Sequence, residues 1–124
     1  FIETFGNDRV VISIDHIDGK IVTHGWQNNT DIDLLDATHE FVKYGFTEFL
    51  TTNVSKDGTL EGPDLSSLSD ICQIKNCNVI ASGGISKMKD IEDVKKFHPF
   101  GVILGKALYE GLVSIEEAKK IGIN

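Results

Sequence analysis

At 124 residues, 40% hydrophobic and 25% charged, the chain has the size and composition of one globular domain. Nineteen Asp and Glu against twelve Lys and Arg give a net charge of −7, which argues against a sequence-independent grip on duplex nucleic acid. No apolar run nears the ~20 residues needed to cross a bilayer, and two cysteines are too few for a disulfide scaffold. A reduced, cytoplasmic setting with no membrane partner is expected. The start, Phe1 to Gly6, lacks a signal-peptide pattern, and without an initiator Met the chain reads as a fragment or cut chain.

The first apolar run, Val10-Val11-Ile12-Ser13-Ile14-Asp15, is rich in β-branched residues and ends on a carboxylate. It predicts a strand over 10–15. An extended stretch, Lys20 to His24, is expected to belong to the loop that follows. Thr30-Asp31-Ile32-Asp33 has capping-box spacing and predicts a helix through Leu34, Leu35, Phe41 and Val42, closed by Gly45. A second strand is expected over 47–52, and Pro63-Asp64 opens a helix carrying Leu65, Leu68, Ile71 and Ile74. The third strand spans 78–82 and ends on Gly83-Gly84; Ser86 then opens a helix with Ile91 and Val94 on its inner face. The fourth strand, near 101–104, ends on Gly105. Ser114-Ile115-Glu116-Glu117 caps the last helix, through Ala118 and Ile121.

Continuous apolar runs suit parallel strands buried on both faces, and the alternation of strand and helix implies right-handed crossovers. Four such units make half of a (β/α)8 barrel, read here as one domain over 1–124 with its N-terminal half absent. The lining residues, Val11, Ser13, Phe49 and Thr51 or their alternates, would face water along two open edges. Another chain or a second copy is therefore expected to complete the sheet.

Ligands of such folds sit at the carboxyl ends of the strands. Those ends offer Asp15, with Asp18, His24 and Trp26 beyond it; Thr51-Thr52-Asn53, then Lys56-Asp57-Gly58-Thr59; Ser82-Gly83-Gly84; and Gly105-Lys106. Gly83, Gly84 and Gly105 before helix starts can let backbone amides approach a phosphate, or can simply make tight turns. On the phosphate reading, valine at 84 should block the ligand while the fold survives. Asp15 and Asp57 can divide acid and base work over one pocket, with Thr52 orienting a carboxyl group. Asp57-Gly58 is equally a turn dipeptide. Trp26 can stack on a planar ring or cover the rim. The histidines lack metal-ligand spacing, and no metal site is expected.

These strings, in this order, resemble the C-terminal half of the isomerases of histidine biosynthesis that act on phosphoribosylformimino-aminoimidazole carboxamide ribotide. They are Val11 to Asp15, Gly25-Trp26, Thr51-Thr52, Lys56 to Asp64, Ala81 to Ser86 and Gly101 to Tyr109. The resemblance runs from about Val10 to Ala118. The Trp26 loop and the Gly83 to Ser86 string are similar to the isomerase; Lys87-Met88 is similar to its relative, the cyclase subunit of imidazole glycerol phosphate synthase. The resemblance implies an Amadori rearrangement of a bis-phosphorylated ribotide, needing no cofactor. It gives Asp15 or Asp57 the proton-donor role, with Thr52 in support. Trp26 would stack on the substrate, and Gly83, Gly84 and Gly105, with Lys106 beside it, would hold one phosphate. It puts the general base and half of the second phosphate site on strands this sequence does not contain. The alternatives are the cyclase and a catalytically silent half-barrel that binds phosphate and self-associates.

Overall fold

The computed structural model describes residues 10–23, 28–57, 61–105, 111 and 114–123. In chain order the elements are β1 (Val11–Ile17), β2 (Lys20–Thr23), β3 (Asn28–Asp33), α1 (Leu34–Lys43), β4 (Glu48–Asn53), α2 (Leu65–Cys72), β5 (Asn78–Ser82), α3 (Met88–Lys95), β6 (Gly101–Val102) and α4 (Ile115–Ile123). They build an α/β fold on one mixed sheet of order β3-β2-β1-β4-β5-β6. Among themselves the four expected strands pair only in parallel, β1 with β4, β4 with β5, and β5 with β6.

The difference from expectation lies between β1 and α1. The Lys20 stretch is not an irregular loop but β2, antiparallel to the tip of β1 through His16–Ile21 and Ile17–Lys20. Thr30 to Asp33 is not a capping box but the body of β3, paired to β2. The Thr30 hydroxyl donates to the carbonyl of Ile21 at 2.7 Å, and the Asp33 carboxylate is taken by Lys20 Nζ. The helix therefore starts three residues late, on an Asp33 that makes no side-chain cap.

The helix expected to open at Ser86 begins at Met88 with Lys87 as its N-cap, and the Ser86 hydroxyl donates to Asp90 instead; three other ends follow their sequence signals. Asp64 caps α2 by accepting the Ser67 N–H at 3.0 Å, and Ser114 Oγ accepts the Glu117 N–H at 3.1 Å. At the end of α1, Gly45 takes φ +97°, its N–H reaches the Val42 carbonyl, and the Phe46 N–H reaches that of Phe41. This is the two-bond Schellman closure, sealed by the Phe41 and Phe46 rings meeting edge-on at 6.1 Å.

Packing is one-sided. Ile14, Phe49, Val79 and Ala81 point to one face of the sheet and make the core with Leu34, Leu68, Ile71, Ile85, Ile91 and Val94 from the helices and the segments leading into them. Side chains one residue out of phase lie on the other face, where Val11 is 50% exposed and Ser13 is exposed. The expectation of strands buried on both faces does not hold for β1, whose burial alternates along its length. The in-register pairs Ser13–Leu50 and Ile14–Thr51 also divide the expected lining set. Val11 and Ser13 belong to the open face, whereas Phe49 and Thr51 are covered by helices and their alternates Leu50 and Thr52 face outward.

Candidate active site

Parallel register aligns the strand ends into rows, because directly paired residues share a face. Asp15 pairs with Thr52 and Thr52 with Ser82, so a carboxylate and two hydroxyl-bearing residues cross three strands in one row on the open face. Thr52 is buried, Asp15 and Ser82 half-buried. One residue further on, His16 pairs with Asn53 on the covered face, both nearly inaccessible.

The loops above the row are held close. At Gly83, with φ +94°, an added Cβ would stand 3.3 Å from the Thr52 methyl and from the Asn53 carbonyl, and 3.7 Å from Asp57 Cα. Asp57 itself is exposed, its N–H bonded to the Asn53 carbonyl at 3.2 Å. Asp15, Thr52, Asp57 and Gly83 thus gather at one end of the sheet. Gly84, with φ +78°, has no room either: a Cβ there would fall 2.4 Å from the Gly62 carbonyl oxygen. A valine at 84 would force two loops apart, so it cannot serve as the fold-neutral probe of phosphate binding that the sequence suggested. The start of α3 is also occupied from within. Asp90 Oδ2 accepts the N–H groups of Ser86 at 2.9 Å and Lys87 at 3.1 Å, which leaves any anion contact of this loop to the amides ahead of Ser86. Gly105 follows β6, and among the described residues nothing lies within 4 Å of an added Cβ. Trp26 and Lys106 lie outside the described residues.

Sequence reasoning passed over the polar cluster beneath this row. Asn53 Nδ2 donates to Asp18 Oδ1 at 2.9 Å and to Asp64 Oδ2 at 2.6 Å, while its Oδ1 accepts from the Ser55 hydroxyl and N–H. His16 Nδ1 accepts the Gly19 N–H at 3.0 Å, so the neutral ring carries its proton on Nε2. Burial pushes the His16 imidazole below its ordinary pKa, against the raising effect of Asp64, Asp18 and Asp15. Burial acts to raise Asp64, but hydrogen bonds from Ser67 and Asn53 and the charge of His16 hold its carboxyl below the usual range. A cavity of about 20 Å³ beside His16, Asn53 and Asp64 has room for a single water. The available signal was the rule that a polar residue at a strand end on a covered face needs partners. Among the described residues no group of three or more His, Cys, Asp or Glu could hold a metal ion, and no helix is long and apolar enough to cross a membrane.

Open α/β folds take their ligands at the carboxyl ends of the parallel strands, and this chain gathers a carboxylate, hydroxyls and glycine turns at that end. The chain belongs to the family described as histidine biosynthesis protein, which matches residues 1–114. It is 66% identical over 113 residues, 91% of the chain, to the 1-(5-phosphoribosyl)-5-((5-phosphoribosylamino)methylideneamino) imidazole-4-carboxamide isomerase of Nitrosopumilus maritimus, covering 48% of that protein. It is 49% identical over 94% of its length to the isomerase of the same name from Cenarchaeum symbiosum, covering 50% of it. The corresponding figures for the Clostridium botulinum isomerase of that name are 40%, 93% and 48%. The chain spans about half the length of these relatives.

Proposed function

We propose that these residues are the C-terminal half of a (β/α)8 barrel that performs the isomerisation named in the relatives, an aldose-to-ketose rearrangement of a bis-phosphorylated imidazole carboxamide ribotide. The observation that carries this reading is the Asp15–Thr52–Ser82 row with Asp57 and Gly83 above it, in a chain two-thirds identical to one such isomerase. The half-barrel reading draws on the one-sided helix layer and on the sheet edges. Of β1, strand β2 pairs only with His16 and Ile17, so among the described residues Val11–Ile14 have no strand beside them on that side. At the other end, among the described residues, β6 is equally without a second neighbour. The complementary half, from another polypeptide or the remainder of a longer one, would close both edges and cover the open face. A second copy of this chain is the other candidate for that role.

The chemistry needs only proton transfers. Opening the ribose requires a proton on the ring oxygen as its bond to C1 breaks, and the nitrogen lone pair assists the departure. Removal of the C2 proton then gives the enolamine, which tautomerises to the aminoketose. Asp15 and Asp57 are the groups here that can deliver the first proton, with the Thr52 hydroxyl orienting the donor. The base that takes the C2 proton lies, on the family resemblance, in the missing half. Amides around Gly83 and Gly84, with Gly105 and Lys106, would hold one phosphate, and Trp26 would stack on the imidazole. Such an enzyme works without a cofactor in the cytoplasm.

The test joins this chain to the half of the Nitrosopumilus maritimus isomerase that it does not match. Turnover of the ribotide is expected from the joined protein and from neither half alone. Ammonia-dependent ring closure instead would assign the cyclase, and phosphate-ester binding without turnover a silent half-barrel; either overturns the reading. Gly105→Val offers the phosphate probe that Gly84 cannot. Its side chain meets no described neighbour, so KM for the ribotide should rise at unchanged melting temperature, and an unmoved KM would remove Gly105 from the site.

A further inference from the structure

We infer that Asn53 is the positioning residue that sets where the Asp57 carboxyl stands during the reaction, an inference that rests on the isomerase reading above. The segment from Val54 to Asp57 sends four consecutive N–H groups downward. Val54 bonds the His16 carbonyl, Ser55 bonds Asn53 Oδ1, and Lys56 and Asp57 both bond the Asn53 carbonyl, at 2.8, 3.1, 3.0 and 3.2 Å. Three of the four end on one residue. The Asn53 amide meanwhile ties the β1–β2 turn through Asp18 and the α2 cap through Asp64, and its carbonyl packs under Gly83.

The residue type is fixed by its partners. Two carboxylates converge on one NH2 group, whose two hydrogens satisfy them without adding charge. An aspartate would place a third carboxylate between them; alanine would take the amide donor from both, leaving Asp64 its Ser67 bond and the Ser55 hydroxyl only the Asp18 carboxylate at 3.4 Å. Asn53 is only 3% exposed and its side chain faces the helices, away from the ligand side of the sheet. It can therefore influence catalysis only through the loop it holds. A displacement of about 1 Å at a reacting group can cost 10²-fold in rate.

The experiment uses the joined two-half protein. In Asn53→Ala, kcat should fall by about 10²-fold with KM nearly unchanged, because the phosphate contacts lie on other loops. Asn53→Asp should fall similarly, and pairing it with Asp64→Asn, which restores one of the two amide–carboxylate contacts by exchange, should recover part of the loss. Hydrogen exchange should quicken at the Ser55, Lys56 and Asp57 amides of the single variants while the amides of β4 stay protected. Ser55→Ala, at an exposed position, serves if Asn53→Ala does not fold; it should give a smaller loss of the same kind. Wild-type kcat in the folded single variants, or a loss that follows melting temperature and is not recovered by the exchange, would overturn the inference. An inactive joined wild type would instead defeat the isomerase reading, and the exchange rates would then decide the loop clamp alone.

Discussion

The two faces of this sheet are built from the same strands and do opposite things. On the covered face Ile14, Phe49, Val79 and Ala81 are packed by helices, and even the polar members, His16, Thr51 and Asn53, are nearly inaccessible and hydrogen-bonded or tightly enclosed. On the open face Val11 and Ser13 are exposed, Leu50 and Ile80 half-covered, and the row ends in Asp15, Thr52 and Ser82. A single step along β1 or β4 separates a buried group that holds the loops, His16 or Asn53, from one that the proposed reaction would use, Asp15 or Thr52. On the proposed function, stability and chemistry are divided by the two-residue period of the strand, not by separate regions of the chain.

That division can be broken by experiment in the joined protein. The largest effect is expected at Asp15→Asn, which should depress kcat by roughly 10²–10⁴-fold with little change in KM or in melting temperature, the loss of a proton donor. Thr52→Val should give a milder loss of the same form. If Asp15→Asn and Asp57→Asn both kept near-normal kcat, the open face would not be the reacting face. Next comes Phe49→Ala, beneath the helices and fully buried. It should cost about 3–5 kcal/mol in denaturant unfolding, and Leu50→Ala beside it markedly less in the chain alone. Equal costs would show that both faces are core.

The smallest effect is a pH dependence. The folded state holds His16 neutral with a lowered pKa, so the unfolded chain binds the proton more readily. The stability His16 contributes is present above its unfolded value of about 6.5 and is lost as pH falls toward the folded pKa. Unfolding midpoints measured downward from pH 7 should decline, and His16→Gln should flatten that decline. An unchanged slope in the variant would assign it to other groups.

The strands were legible because their signal is local. The run at 78–82 is the strand β5 found, and Val10 to Asp15 and Thr47 to Thr52 lie within a residue or two of β1 and β4. Asp64, Ser114 and Gly45 announced their helix ends for the same reason. The β2–β3 hairpin was hidden because Thr and Asp serve equally as caps and as polar strand residues. What decides between them is Lys20 reaching Asp33 thirteen residues on, and Thr30 reaching Ile21. The site divides likewise. Asp15 and Thr52 stand out as polar ends of apolar runs, whereas Asn53 looks like any strand-end amide until Asp18, 35 residues away, is brought to it. Which of two adjacent threonines lies on the open face also needed register, since alternation alone fits either phase.

The turn after α1 bears on that phase. Only Phe46 and Thr47 separate the Gly45 closure from β4, and the Phe46 ring is pinned against Phe41. With so little slack, the helix end fixes the point at which β4 enters the sheet. One residue inserted at 46–47 has nowhere to loop out, and pushing it into the strand would exchange the faces of all six residues. Phe49 would then point to the open side and Thr52 into the helices. Length variation in this connection should therefore be tolerated poorly, although neither of its residues belongs to the proposed reacting groups.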